Sequence, residues 1–465
     1  MRNRNRPLCR IAAVLLTAAI SFTAVCLCGC EGGDGPAKIP GDTIVLAAKK
    51  DQRSAAMQQR LEEYIDAYID AFTKTEPGIS VKVNYYTELP KETTGIDCML
   101  LGADDMLLYA AGGLTDAGQY LPFYGIAEDK IAGGAVNVSR IADGQPMKMI
   151  PVNYDHAVII ADESLFRDAG VDIPGNDWTL TEFEEIAADL TDRRDGEAYS
   201  GVYMPYYMNY VWQYFCNLIA GTYLTEGRFD FSKDGSVGQA IERMYSMYTH
   251  SAAVSPVLST ISRTCAMSFT FACEPWRNNY SYEAERKINI NPGKRTDELI
   301  VSGDFRIIPL PVSDSGKRTG IADTDHIKGF AVPATSSKQN MAGKFAAFSL
   351  TEEGQKILVP CFEGIPANRD MWEEEFWRTG VFAGDNAQRA LIGVDDGVRD
   401  DFTAAIASDN DIYNKNVRMR SVFSAIMVRE LSSGRGLDNF MKKLASFALD
   451  ANKVIDGKTA VYTRE

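Results

Sequence analysis

The chain has 465 residues, 45% of them hydrophobic and 10% aromatic, and carries a formal charge of −15. That composition is ordinary for a globular protein, and the length exceeds one ordinary core, so two lobes or domains are expected. So acidic a surface repels nucleic acid and anionic lipid, which excludes both as expected partners of the folded body.

The chain opens with Arg2, Arg4, Arg6 and Arg10, followed by an uncharged run from Ile11 that ends in Leu27-Cys28-Gly29-Cys30. A basic stretch, an apolar stretch and small residues before a cut site make an export signal. The alternative is an uncleaved membrane anchor, since the run nearly reaches the length of a spanning helix. Either way the remainder sits outside the cytoplasmic membrane. Losing the four signal arginines takes the mature part from −15 to near −19.

Residues 31–42, EGGDGPAKIPGD, read as a flexible tether. A strand is expected at Thr43–Ala48, and a helix from about Ser54 to Thr75 with Leu61, Tyr64, Ile65, Tyr68 and Ile69 on one stripe. Pro77-Gly78 ends it. Ile79–Tyr86 alternates as a strand, Cys98–Leu101 is a short apolar strand, and a helix and a Gly-Gly turn follow. This strand–helix alternation predicts right-handed βαβ units and a parallel sheet. Further strands are expected at Ala157–Ile160 and Phe305–Leu310, with mostly helix between them. One such helix opens at Trp178–Phe183, capped by Thr179 or Thr181, with Glu182 answering Thr179. Another starts near Gly238, and the chain after about residue 395 reads as helical.

Cys98, Cys216, Cys265, Cys273 and Cys361 remain in the mature chain, an odd number with spacings that suit no disulfide scaffold. They read as buried small hydrophobes. No CxxC pair occurs, and His156, His250 and His326 are scattered, so no metal or other cofactor is expected. The stretch from Asp230 to Gly235 starts like a calcium loop, but position 12 is Ile241, so it reads as a turn and cap. Adjacent carboxylates such as Asp104-Asp105 point apart on a helix and make a poor glycosidase pair.

The end of the signal, Leu27 to Cys30, resembles the lipobox of bacterial lipoproteins, which implies a lipid on Cys30 after cleavage. Three later stretches resemble family 1 of the extracellular solute-binding proteins, the carbohydrate-type receptors of ABC importers. The first runs from Pro151-Val-Asn-Tyr-Asp155 through Glu163-Ser-Leu-Phe-Arg-Asp-Ala-Gly170 and Pro174 to Trp178–Phe183. The second is Pro309-Leu-Pro311, then Gly329–Pro333, Ser336-Ser-Lys338 and a helix reaching Leu350–Gln355. The third is Glu363-Gly-Ile-Pro-Ala-Asn368. The chain departs from the family pattern at Asp162-Glu163, where Asn-Lys is usual, and at Leu101, near which a Trp is common.

The resemblance implies an α/β, periplasmic-binding-protein-like fold: two α/β lobes joined by a hinge that the chain crosses more than once. After a signal at 1–29 and a tether at 30–42, lobe 1 would comprise 43–154 and 310–362, and lobe 2 would comprise 155–309 and the C-terminal helical part 363–465. The ligand would lie in the cleft between them.

A sugar needs carboxylates and amides for its hydroxyls and aromatic rings for its C–H faces. Seven of the thirteen residues in Tyr203–Phe215 are aromatic. Pro205 is expected to open a helix, placing Tyr203, Tyr207, Tyr210 and Tyr214 on one stripe. The later members read as core, while Tyr206, Tyr207 and Asn209 near the helix start are candidate ligand contacts. Trp276, in Cys273-Glu-Pro-Trp276, matches a Trp that often stacks on ligand in the family, with a buried lobe position as the alternative. Asp51 and Asp104 follow expected parallel strands, where loops face the crevice of an open α/β sheet. Each is a ligand contact or a helix N-cap. Asp155 lies near the proposed hinge and is structural or ligand-binding.

The expectation is thus a monomeric, non-enzymatic receptor, lipid-anchored on the extracytoplasmic face of the cell membrane. It would hand a small polar solute, a sugar or oligosaccharide, to ABC permease subunits. A ligand sensor for a membrane kinase and a surface polysaccharide-degrading enzyme are the alternatives.

Overall fold

Ser54 starts the first long helix of the folded body: its hydroxyl accepts from the Met57 amide at 3.2 Å, satisfying one of the donors a helix start leaves open. The computed structural model describes residues 42–194, 197–204, 209–250, 252–253, 265–274, 305–399 and 402–458. The expected export signal, Cys30 and the tether up to residue 41 lie outside them.

Helix α1 (Ala55–Thr75) follows β1 (Thr43–Lys49) and buries Met57, Leu61, Ile65, Tyr68 and Phe72 on one stripe. The chain returns as β2 (Ser80–Tyr86) and then β3 (Cys98–Gly102), both parallel to β1, the βαβ arrangement expected from the sequence. A 3₁₀ turn at Asp105–Tyr109, rather than a full α-helix, comes next. Helix α2 (Gly133–Val138), then β4 (Ile150–Pro151), complete this part of the chain. With a later strand, β13 (Lys328–Ala331), they form a sheet in the order β2-β1-β3-β13-β4.

After β5 (Asn153–Tyr154) the chain enters a second sheet through β6 (Ala157–Asp162). Helices α3 (Glu163–Ala169) and α4 (Leu180–Asp189) follow. Thr179 and Glu182 form the reciprocal cap expected at the start of α4, Glu182 N–H donating to the Thr179 hydroxyl at 3.2 Å. Then come β7 (Asp192–Arg194), β8 (Glu197–Tyr203), α5 (Asn209–Ile219), α6 (Ser236–His250), β9 (Ala252–Ala253), β10 (Cys265–Phe271) and β11 (Phe305–Ile308). The second sheet runs β11-β6-β10-β8-β7, with β9 on β8.

Among the described residues the segment between β6 and β11 is richer in helix than in strand, as the sequence suggested, but it also carries strands β7 to β10, which the sequence reading did not place. Strand β10 is buried at every position and pairs with both β6 and β8, so Ser268 and Thr270 lie in the interior along with Met267, Phe269 and Phe271. Tyr203 ends β8, where pairing with Ser268 holds it extended, and so does not share a helical stripe with Tyr210 and Tyr214.

From β11 the chain passes through β12 (Gly320–Ala322) back to β13 of the first sheet. Helices α7 (Gln339–Phe348) and α8 (Glu352–Phe362) cover that sheet: Tyr68 of α1 stacks on Phe330 of β13 at 5.4 Å and meets Phe345 of α7 edge-on at 5.0 Å. A third passage begins at β14 (Ile365–Pro366), which pairs with β5, and leads to α9 (Asp385–Ala390), packed on β11. Two bodies, each with its own sheet, are thus joined by three passages of one chain. In the last part β15 (Gly397–Arg399) pairs in parallel with β12, a strand in a stretch that reads as helical. Helices α10 (Thr403–Ile406), α11 (Ile412–Ser432) and α12 (Leu437–Ile455) finish the second body. Phe423 of α11 lies 4.5 Å from Trp212 of α5, and Phe447 of α12 lies 5.2 Å from Phe423. Tyr210, Trp212, Tyr214 and Phe215 are all buried in that core, which is where the aromatic run places its mass.

Cys98, Cys216, Cys265, Cys273 and Cys361 are buried, and none of them forms a disulfide. Burial pushes the thiols of Cys265 and Cys361 up to about 12, and those of Cys98 and Cys216 further in the same direction. Among the described residues no helix is long and apolar enough to cross a membrane, and no group of His, Cys, Asp and Glu is placed to hold a metal ion.

Candidate functional site

Parallel strands β1 and β3 end side by side, and the loops that follow them form the first wall of a cleft. A cavity of about 320 Å³ opens there, lined by Lys49, Asp51, Arg53, Asp105, Lys328 and Glu363 among others. A second, of about 440 Å³, shares Lys49, Asp105 and Lys328 with it and adds Asp104, Tyr413 and Arg420. Tyr413 and Arg420 come from α11, so the second cavity has walls from both bodies.

Asp51 is held by its neighbours. Its backbone N–H donates to Gln58 Oε1 at 2.7 Å. Its carboxylate accepts from the Arg53 N–H at 2.9 Å and from Arg53 Nη2 at 2.7 Å. Burial works to raise this carboxyl, but the hydrogen bonds from Arg53 outweigh it and hold it below the usual range, so it is a fixed anion. Its side chain keeps 13% exposure and lines the cavity.

The acid–base alternation continues inward. Glu363 is almost fully buried and accepts from Arg60 Nη1 at 2.9 Å, with an Arg53 nitrogen 4.0 Å away. Its φ of +56° is a left-handed conformation that a non-glycine residue adopts at some cost, here at the C-cap of α8. The ion pair with Arg60 of α1 offsets that cost and ties α8 to α1 at the cavity floor. On the neighbouring loop Lys49 donates to Asp105 at 3.3 Å.

Asp104 caps no helix with its side chain. One oxygen accepts from Arg420 Nη1 at 2.7 Å, the other from Arg399 Nη1 at 3.3 Å. Burial opposes ionisation, but Arg420 and Arg399 prevail and keep the carboxyl below its ordinary value. Of the two alternatives weighed from the sequence, helix cap and ligand contact, the geometry does not give the cap: the carboxylate is engaged by two guanidinium groups where it lines the second cavity.

Asp155 lies away from both cavities. It is fully buried where the chain first passes between the bodies. Its Oδ1 accepts from the His156 N–H at 2.8 Å and from the Cys273 N–H at 3.2 Å, and its carbonyl accepts from the Asp323 N–H at 2.9 Å. These bonds fasten β6, the end of β10 and the β12 connection together. Asn209 is the first residue of α5. Its side chain, together with Tyr206, Tyr207 and Trp276, lies outside the described residues, as does Cys30. The structure thus brings Asp51 and Asp104 to one cleft wall and sets Asp155 at the hinge.

Sequence reasoning missed Arg53, Lys328, Arg420 and Glu363. Glu363 lay in a recognised stretch but was read as part of a turn. Arg53 sits two residues from Asp51 and needed only the turn geometry to be found. Arg420 had no local signal, since it meets Asp104 across 316 residues of chain.

The family model for bacterial extracellular solute-binding protein matches residues 58–248. Solved structures share the fold across nearly their whole length. The sugar-binding protein MalE from Xanthomonas citri is 15% identical with a TM-score of 0.66, over 91% of this chain and 100% of that one. An ABC substrate-binding protein from Listeria monocytogenes, solved with cycloalternan, is 18% identical with a TM-score of 0.59, over 89% and 99%. UgpB from Mycobacterium tuberculosis, solved with glycerophosphocholine, is 15% identical with a TM-score of 0.61, over 92% and 100%. No curated protein matches the chain significantly.

Proposed function

We propose that this chain is an extracellular solute-binding protein, the lipid-anchored receptor of an ABC importer that closes over a sugar or oligosaccharide. The observation that carries this reading is the polar cleft wall at the ends of β1 and β3, whose fixed carboxylates and cations suit a hydroxyl-rich solute. Cycloalternan in one structural relative and the sugar-binding role of another support the ligand class. The cleft would close by motion of the two bodies about the three connecting passages. Cys30 would carry the lipid and hold the receptor near separate permease subunits, and the receptor would work as a monomer without catalysing a reaction.

A thermal-shift screen tests the ligand class. A solute at 100 times its dissociation constant stabilises the folded state by about 2.7 kcal/mol. Cycloalternan or maltose is expected to raise the melting temperature, and glycerophosphocholine is expected not to. A response to glycerophosphocholine alone would replace the sugar with a phosphodiester ligand. Release of smaller sugars from cycloalternan during incubation would replace the receptor with an enzyme.

A further inference from the structure

A charged contact joins the two cleft walls at Asp104 and Arg420. Asp104, on the loop after β3, belongs to the first body. Arg420 belongs to α11, whose other face is fixed in the second body by Phe423 against Trp212 and by the buried Met419 and Met427. The guanidinium of Arg420 crosses to Asp104 at 2.7 Å and approaches Asp325 at 4.0 Å, so it meets two carboxylates of the facing wall.

We infer that Asp104 and Arg420 form an ion-pair latch that holds the two bodies together before any solute binds. This rests on the reading that the bodies move about their connections. Three features make the contact a releasable latch rather than a permanent part of the core. Both side chains keep 20% exposure, so water reaches the pair and its separation strands neither charge in a dry interior. Asp104 keeps a second cation when Arg420 leaves: Arg399 is 9% exposed, bonds Asp104 at 3.3 Å, and is itself anchored on the Ala103 and Val138 carbonyls at 2.9 and 2.7 Å. Arg420 likewise keeps Asp325, which is well exposed, as an alternative partner. The closed arrangement therefore gains one charge-assisted bond, and the open arrangement leaves no unpaired buried ion. That is the energetic shape of a two-state element.

The pair also decides what Asp104 can do. An aspartate at the end of a cleft strand would ordinarily face the solute, but here it faces the opposite wall. Its neighbour Asp105 is engaged by Lys49 where both line the cavity at the ends of β1 and β3. The two adjacent carboxylates thus have separate tasks, one toward closure and one toward the cavity.

Small-angle scattering on the ligand-free protein tests the latch. Asp104→Asn and Arg420→Gln should each increase the radius of gyration, as expected for an open-to-closed ratio raised about fivefold. The double variant should add nothing to either single change. Arg420→Asp sets three carboxylates against one another and should open the protein further. Thermal melting of all four variants should stay close to that of the parent, because each body keeps its own core. If Arg420→Asp opens the protein but the two neutral variants leave the radius unchanged, the latch is overturned and the moving bodies stand. If Arg420→Asp also leaves it unchanged, the bodies do not move and both readings fall.

Discussion

His156 is the residue whose environment most changes its chemistry. It lies at the first passage between the bodies, fully buried, its Nε2–H donating to the Ala390 carbonyl at 2.7 Å and its ring 5.7 Å from that of Tyr154. Burial pushes the imidazole from 6.5 down to about 4, opposed by the Ala390 bond and assisted by Arg318. The folded ring stays neutral where the unfolded one has already taken up a proton. The unfolded state then binds more protons, so stability falls as the pH drops from about 6.5 to about 4. The full effect is roughly 3 kcal/mol. Chemical denaturation across that range should show a slope near one proton greater in the parent than in His156→Gln. Tyr154 beside it fills the space of two absent side chains: a Cβ at Gly134 or Gly397 would overlap its hydroxyl. That hydroxyl has no hydrogen-bond partner in the structure. Gly397→Ala should cost about 1–3 kcal/mol by overpacking, and Tyr154→Phe should recover part of that loss while being nearly neutral alone. Denaturant titration of the three variants checks this. Trp276 calls for a different pair of measurements. As an aromatic platform it should cost about 30-fold in affinity when truncated to Ala, with stability kept. As a core residue it should cost ~3–5 kcal/mol of stability instead. Calorimetry with the sugar selected by the screen, and denaturation without it, separate the two.

Elements with strong local punctuation were legible in the sequence. Ser54 before an apolar stripe and Pro77-Gly78 after it bounded α1, and Thr179 with Glu182 announced α4. Thr179→Ala should cost ~1 kcal/mol, because both halves of the reciprocal cap are lost, and Ser54→Ala a similar amount; thermal or chemical unfolding reads both. Strand β10 was not legible. Its seven residues are buried on both faces, and the only local signal is an alternation of five residues, Met267 to Phe271, too short to stand out by itself. Its neighbours β8 and β6 decide the matter, and they lie far away in sequence. The helical reading of the aromatic run failed at Tyr203 for the same reason: pairing with β10 outweighs the local pattern.

For the whole molecule, the two-body α/β architecture was readable from motif order, and the cleft position of Asp51 and Asp104 followed from parallel strands ending together. What closes the cleft was not readable, because Arg420 is fixed by tertiary packing of α11 alone. The membrane attachment proposed for Cys30 makes its own prediction. Fatty-acid labelling should mark the mature protein, and Cys30→Ser should remove the label; a labelled Cys30→Ser protein would refute the anchor.

The buried thiols give this protein an internal clock. Cys98 and Cys361 sit in the first body, Cys216 and Cys265 in the second, and Cys273 where its amide secures Asp155 at the passage between them. None can be alkylated until its surroundings open, so the rate at which each gains a label is the rate at which that region breathes. Intact-mass and peptide analysis after timed alkylation should give one rate for Cys98 with Cys361 and a separate one for Cys216 with Cys265. A single shared rate would mean that the bodies unfold as one cooperative unit. Adding the bound solute should slow Cys273 along with both pairs, since a molecule gripped by two walls protects the joint between them as well.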